Sequence, residues 1–192
     1  MHIIENKSTL KSYLPEGVFI MKYKKIWIYL IAMLFAFAGQ LFSGDLDEVD
    51  TFSYGDWTGG AYRLANGSFS HCHIAKAYES GVVLAIALTD ENEINLLVIK
   101  ESWELTINSK YKVSLSIDGE YLDQYNAIAI DYTSMQIDLG NRADIFEKLR
   151  LGNMLVVEGE HDNFNFKLRG TNKALGIVKE CVDSMSSLAP SQ

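Results

Sequence analysis

Past position 80 the chain alternates short apolar runs with turn residues. The runs 82–88 and 94–99 have strand length and flank Thr89-Asp90-Glu91-Asn92-Glu93, which predicts a hairpin. Positions 111–117 alternate strictly: Tyr111, Val113, Leu115 and Ile117 fall on one face, Lys112, Ser114 and Ser116 on the other, as in a strand with one wet side. Asp118-Gly119 follows, and glycine accepts the positive φ of a tight hairpin turn. Further strands are predicted at 73–78, 127–132, 135–139, 154–158 and 164–168.

Two segments change period. In 141–150, Ile145, Phe146 and Leu149 recur at helical spacing between Asn141, a capping residue, and Gly152. In 171–182, Ala174, Leu175, Val178, Cys181 and Val182 form an inner face behind Thr171 as cap. Strands then a helix, twice over, indicate an α+β fold: an antiparallel β-meander or sandwich with two short helices, the last one C-terminal.

The N-terminal pattern is different. Met21-Lys22-Tyr23-Lys24-Lys25 is a basic opening, and 26–38 is an uncharged apolar run. A spanning helix needs roughly 20 apolar residues and a secretory core about 7 to 15, so the run fits a signal peptide. Ala36-Phe37-Ala38 supplies the small-x-small cleavage pattern, which places cleavage before Gly39, with the Ser43/Gly44 region as the alternative. The division expected is therefore an upstream extension at 1–20 with the true start at Met21, and a signal peptide at 21–38. An acidic flexible arm at 39–60, one α+β domain at 61–185 and a frayed tail at 186–192 complete it. No stable membrane span is expected after cleavage.

Charge narrows the partners. Of the 17 Lys and Arg and 25 Asp and Glu, five and two respectively precede position 39, which leaves the remainder with a formal charge of −11. Such a surface repels phosphate backbones, so no nucleic-acid partner is expected, whereas basic segments are attracted.

Candidate chemistry concentrates in Ser70-His71-Cys72-His73-Ile74, because the chain holds four His and two Cys. In an exported chain an even cysteine count favours pairing, so Cys72 and Cys181 are expected to form a disulfide; two buried free thiols are the alternative. His71 and His73 share one face of a strand, a two-imidazole arrangement usable by Zn or Cu. A site needs a third ligand, such as His161 or a carboxylate; the plainer reading leaves both imidazoles on the exposed side of an edge strand. A Cys-His nucleophile is disfavoured, because Cys72 points away from both neighbouring imidazoles. The chain lacks G-x-S-x-G, H-E-x-x-H, a phosphate-binding glycine loop and C-x-x-C, and no cofactor is expected. Asp45-Leu46-Asp47-Glu48-Val49-Asp50 reads as a solvated acidic linker rather than a calcium loop.

The ending Phe164-Asn165-Phe166-Lys167-Leu168-Arg169-Gly170-Thr171-Asn172-Lys173-Ala174-Leu175, followed by Cys181-Val182, resembles that of uncharacterised exported bacterial domains. In these a strand runs into Gly-Ser/Thr-x-x-Ala-Leu and a cysteine-bearing helix. Trp103-Glu104-Leu105, Tyr111-Lys112-Val113 and Ile117-Asp118-Gly119 extend the resemblance, which reaches more distantly to the invasion-associated locus B proteins. It implies export, a disulfide and a Gram-negative envelope, and transfers no catalytic residue. The expectation is a periplasmic or secreted non-enzymatic domain that binds a protein or an envelope component. A metal- or small-ligand-binding protein using His71 and His73, or a small hydrolase, are the alternatives.

Overall fold

The computed structural model describes residues 46–160 and 162–187. The expected signal peptide, its cleavage site and the upstream extension lie outside the described residues, as do His161 and the last five positions. Ten strands follow in chain order: β1 Leu46–Tyr54, β2 Trp57–Leu64, β3 Phe69–Ala77, β4 Val82–Thr89, β5 Ile94–Lys100, β6 Lys110–Ile117, β7 Glu120–Ala129, β8 Ser134–Gly140, β9 Met154–Gly159 and β10 Asn163–Lys167. Helix α1, Ala143–Leu151, separates β8 from β9, and α2, Thr171–Ser187, ends the described chain. The fold is α+β: one antiparallel ten-stranded open sheet in the order β1-β2-β3-β4-β5-β8-β7-β6-β9-β10, with two helices. Among the described residues no helix is long and apolar enough to cross a membrane.

The hairpins form where turn chemistry demands them. Between β4 and β5 the Thr89 amide donates to the Glu93 carbonyl and the Glu93 amide to Thr89 Oγ1, with Asn92 at φ 59°. Between β6 and β7, Asp118 and Gly119 both have positive φ (52° and 84°), the combination a two-residue turn needs to match strand twist. Asp118 has a second role: its carboxylate accepts the amides of Asn153 and Met154 at 2.8–3.0 Å, which ties the start of β9 to the turn. Those bonds, the Asn153 amide first, hold its carboxyl below the usual carboxylate range.

The sheet is not a plain meander. β5 pairs with β8 rather than β6, and β6 lies between β7 and β9. The 101–109 connection must therefore pass the ends of two intervening strands. Alternation sends Val113, Leu115 and Ile117 of β6, Leu84, Ile86 and Leu88 of β4, and Leu155 and Val157 of β9 into one core, where helices α1 and α2 also pack. On α2 the buried positions are Thr171, Ala174, Leu175, Val178 and Val182, a stripe at helical spacing.

Contacts between strands far apart in the sheet order show that it coils. The Trp57 indole donates to the Arg169 carbonyl at 2.9 Å, Tyr78 Oη donates to the Lys167 carbonyl, and the Tyr78 ring meets Phe166 edge-on. At the same end of these strands, just past β5, Trp103 meets Phe164 edge-on and its indole donates to Asp162 at 2.8 Å. A lysine reinforces each tie. Lys76 Nζ lies 5.8 Å from Trp57 and 5.3 Å from Tyr78 and pairs with Asp56, while Lys100 Nζ lies beside Trp103 and Phe164 and pairs with Asp162.

Several local expectations are corrected. Of the stretch expected as a flexible arm, residues 46–60 form β1 and the start of β2, paired over eight positions from Leu46↔Leu64 to Tyr54↔Trp57. Backbone pairing needs no apolar side chains, and an edge strand exposed on both faces accepts Asp47, Glu48 and Asp50. Gly59 and Gly60, the last residues of the expected arm, lie within β2. There the backbone needs their bareness: a Cβ on Gly59 would sit 2.1 Å from the His73 carbonyl oxygen, and one on Gly60 would sit 2.6 Å from that of Asp50. Asn141 does not cap α1; its amide donates to the Glu91 carbonyl, and Arg142 precedes the helix in an ion pair with Asp144. The strand expected at 127–132 ends at Ala129, because Asp131 accepts the Thr133 amide and hydroxyl and turns the chain. Thr171 donates its hydroxyl to the Leu168 carbonyl at 2.6 Å instead of accepting from the helix amides, and α2 runs five residues past the expected end at 182.

The glycine contacts give two opposite expectations. Gly59→Ala should lower the unfolding free energy by about 3 kcal/mol or more, since the clash is with backbone. Gly176→Ala, inside α2 with open space around it, should raise it by up to about 1 kcal/mol. Urea titrations of both variants check this; equal effects would remove the close approach of β2 and β3.

Candidate functional site

The Ser70-His71-Cys72-His73-Ile74 cluster sits on β3, between β2 and β4. Cys72 points into the core, wholly buried, with Ala61 and Leu88 beside it in register. Helix α2 packs over β3 and brings Cys181 to a Cα–Cα distance of 6.3 Å, and the two sulfurs are bonded. Cys72 and Cys181 therefore form the expected disulfide, and no described cysteine is free.

His71 and His73 point to the opposite face, as alternation requires. They are not on an exposed edge: β3 is an interior strand, and His73 retains 6 % of its exposure. Their rings lie 5.8 Å apart and both meet Tyr62 of β2 at 5.2 Å, with Tyr62 stacked on His71 at an interplanar angle of 13°. Ser70 Oγ lies 2.9 Å from His71 Nδ1. Gly60 stands opposite His73, and over it lies the Glu48 carboxylate, whose Oε1 would be 2.9 Å from a Cβ at that position. The result is a three-ring cluster with one carboxylate at its margin.

Burial sets the charge state of this cluster. It lowers His71 to about 4 and His73 to about 3, the neighbouring imidazole adding to the shift at His73. Burial, and Glu48 beside it, raise Tyr62 to about 12. Both imidazoles are thus neutral at pH 7, the state a metal ligand requires. Among the described residues, however, no group of three or more His, Cys, Asp and Glu comes together to hold a metal ion, and His161 lies outside them. The arrangement packs two neutral imidazoles against a phenol.

The 101–109 connection runs beside the β7–β8 turn, held by the Leu105 amide on the Tyr132 carbonyl and the Asn108 amide on the Ala129 carbonyl, both at 2.8 Å. Over them lies an open surface depression of about 630 Å³ lined by Glu104, Leu105, Thr106, Ile107 and Tyr132. Tyr132 is 66 % exposed and Ile107 37 %. The signal in the sequence is weak: one large apolar residue within each of two polar turns, Thr106-Ile107-Asn108 and Asp131-Tyr132-Thr133.

No protein-family model matches the chain. No curated protein matches it in sequence. Among solved structures the chain is similar to invasion associated protein B from Bartonella henselae, with a TM-score of 0.49 and 15 % identity, covering 71 % of this chain and 99 % of that one.

Two expectations follow from the geometry. The disulfide closes a sequence separation of 109 residues, so Cys72→Ala/Cys181→Ala should lose about 4–5 kcal/mol of stability in guanidinium titrations. A loss under about 1 kcal/mol would show that α2 holds β3 without it. The imidazoles, depressed below their unfolded value of 6.5, leave stability intact above pH 6.5. It is lost as the pH falls toward about 3, because the unfolded chain takes up protons first. The stability difference between wild type and His71→Phe/His73→Phe should therefore change by up to about 1.4 kcal/mol per pH unit per imidazole below pH 6.5. A difference independent of pH would mean that the rings are solvated.

Proposed function

We propose that the chain is an exported, non-catalytic domain, periplasmic or secreted, that binds another protein or an envelope component. The observation that carries the exported location is the Cys72–Cys181 disulfide, a bond that persists in oxidising compartments and is rare where thiols are kept reduced. The basic and apolar opening at 21–38, with its cleavage pattern, supports the same location. Binding is supported by the large apolar side chains the fold leaves in water, notably Tyr132, Tyr121, Leu151 and Ile128, on a surface otherwise rich in carboxylates.

The test is chemical crosslinking in envelope fractions, with mass spectrometry to identify the crosslinked residues and titration of the purified partner against the purified chain. A partner that crosslinks reproducibly and binds saturably supports the reading. Turnover in a broad hydrolase screen that survives repurification overturns the non-catalytic half. Recovery of the expressed protein with both thiols reduced in its native compartment overturns the exported half.

A further inference from the structure

We infer that β1 is an edge held shut by Asp50, and that removing this carboxylate lets the β1 strands of two copies of the chain pair. The inference goes beyond the binding reading and stands whatever the chain binds. An open sheet has two edges, here β1 and β10, and an exposed edge is a row of amides and carbonyls that another chain can use. β10 is five residues long, and its Lys167 carbonyl accepts from Tyr78 Oη at 3.0 Å. β1 is nine residues long and exposed along most of its length, with Val49 and Tyr54 both in contact with water. Length and exposure make β1 the edge that needs a guard.

Strand geometry decides which groups of β1 face outward. Tyr54 and Trp57 close a hairpin over the two residues Gly55 and Asp56, so Tyr54 and Phe52 direct their amides to β2, and Ser53 and Thr51 direct theirs away from it. The Asp50 carbonyl oxygen lies against Gly60 of β2, which agrees with that alternation. The outward Thr51 amide donates to Asp50 Oδ1 at 2.8 Å. The carboxylate thus occupies the place an incoming strand's carbonyl would take, and its charge repels that oxygen. Two further features act in the same direction. The register shifts between Glu48 and Asp50, a bulge that bends the edge. Asp47, Glu48 and Asp50 make no ion pair among the described residues, so a second β1 laid alongside sets carboxylates against carboxylates.

The test is sedimentation equilibrium of the disulfide-bonded chain and its Asp50 variants, with hydrogen exchange of the β1 amides and far-UV circular dichroism to check the fold. Asp50→Thr should self-associate about tenfold or more tightly than the wild type, and Asp50→Ala, which brings no new polar group, should act in the same direction. In the associated variants the Ser53 amide should exchange about tenfold or more slowly, because it becomes a ladder donor. Adding Thr51→Pro to Asp50→Thr should restore the wild-type behaviour: proline has no N–H to offer, and an edge strand accepts it where the N–H faces outward. A general loosening of the fold by Asp50→Thr would not be reversed in this way. Folded Asp50 variants that associate no more than the wild type, a variant dimer that survives Thr51→Pro, or a wild-type dimer with Ser53 already protected would each overturn the inference.

Discussion

The structure depends on closing the apolar face of one sheet. Alternation along the strands sends their large apolar side chains to a single side, and an antiparallel sheet with one dry side is stable only when that side is covered. Over β2, β3 and β4 the cover is α2, whose stripe of Ala174, Leu175, Val178 and Val182 lies on the strands that carry Ala61, Cys72, Leu84 and Ile86. The Cys72–Cys181 bond stands in that interface, joining the covering helix to an interior strand rather than to a loop. It restricts the unfolded chain over more than half its length, so the contribution is large by loop-closure reasoning.

Coiling of the sheet completes the cover, and aromatic residues at two places hold the coil. Trp57 and Tyr78 reach the end of β10 and the approach to α2; Trp103 reaches the start of β10. Each tie includes a lysine placed against rings and paired with an aspartate, so the cation is neither buried alone nor left fully in water. The crossover between β5 and β6 is a consequence of the strand order, since β8 and β7 lie between them. That detour places residues 103–107 along the β7–β8 turn and creates the surface depression there.

The histidine pair illustrates how a local pattern acquires its meaning from its neighbours. Alternation separates His71 and His73 from Cys72 whichever strand they occupy. Their neutrality comes from burial in an interior strand beside the Tyr62 ring, and a β2 containing Gly60 is what lets Glu48 lie close to them. Had β3 been the edge strand, the same two residues would have titrated near their ordinary value in water.

Patterns of short range were legible in the sequence. The alternation of Val113, Leu115 and Ile117, the Asp118-Gly119 turn, the inner stripe of α2 and the pairing of two cysteines all follow from rules that operate over a few residues or from simple counting. What failed was reading Gly59-Gly60 and the acidic residues before them as an arm, because composition reports solubility and turn preference but not backbone pairing. The strand order, the burial of His71 and His73, the lysine–aromatic ties and the surface depression were decided only by tertiary structure. Each depends on which distant segments become neighbours, and that is settled by covering the whole apolar face at once, a condition no local window of sequence contains.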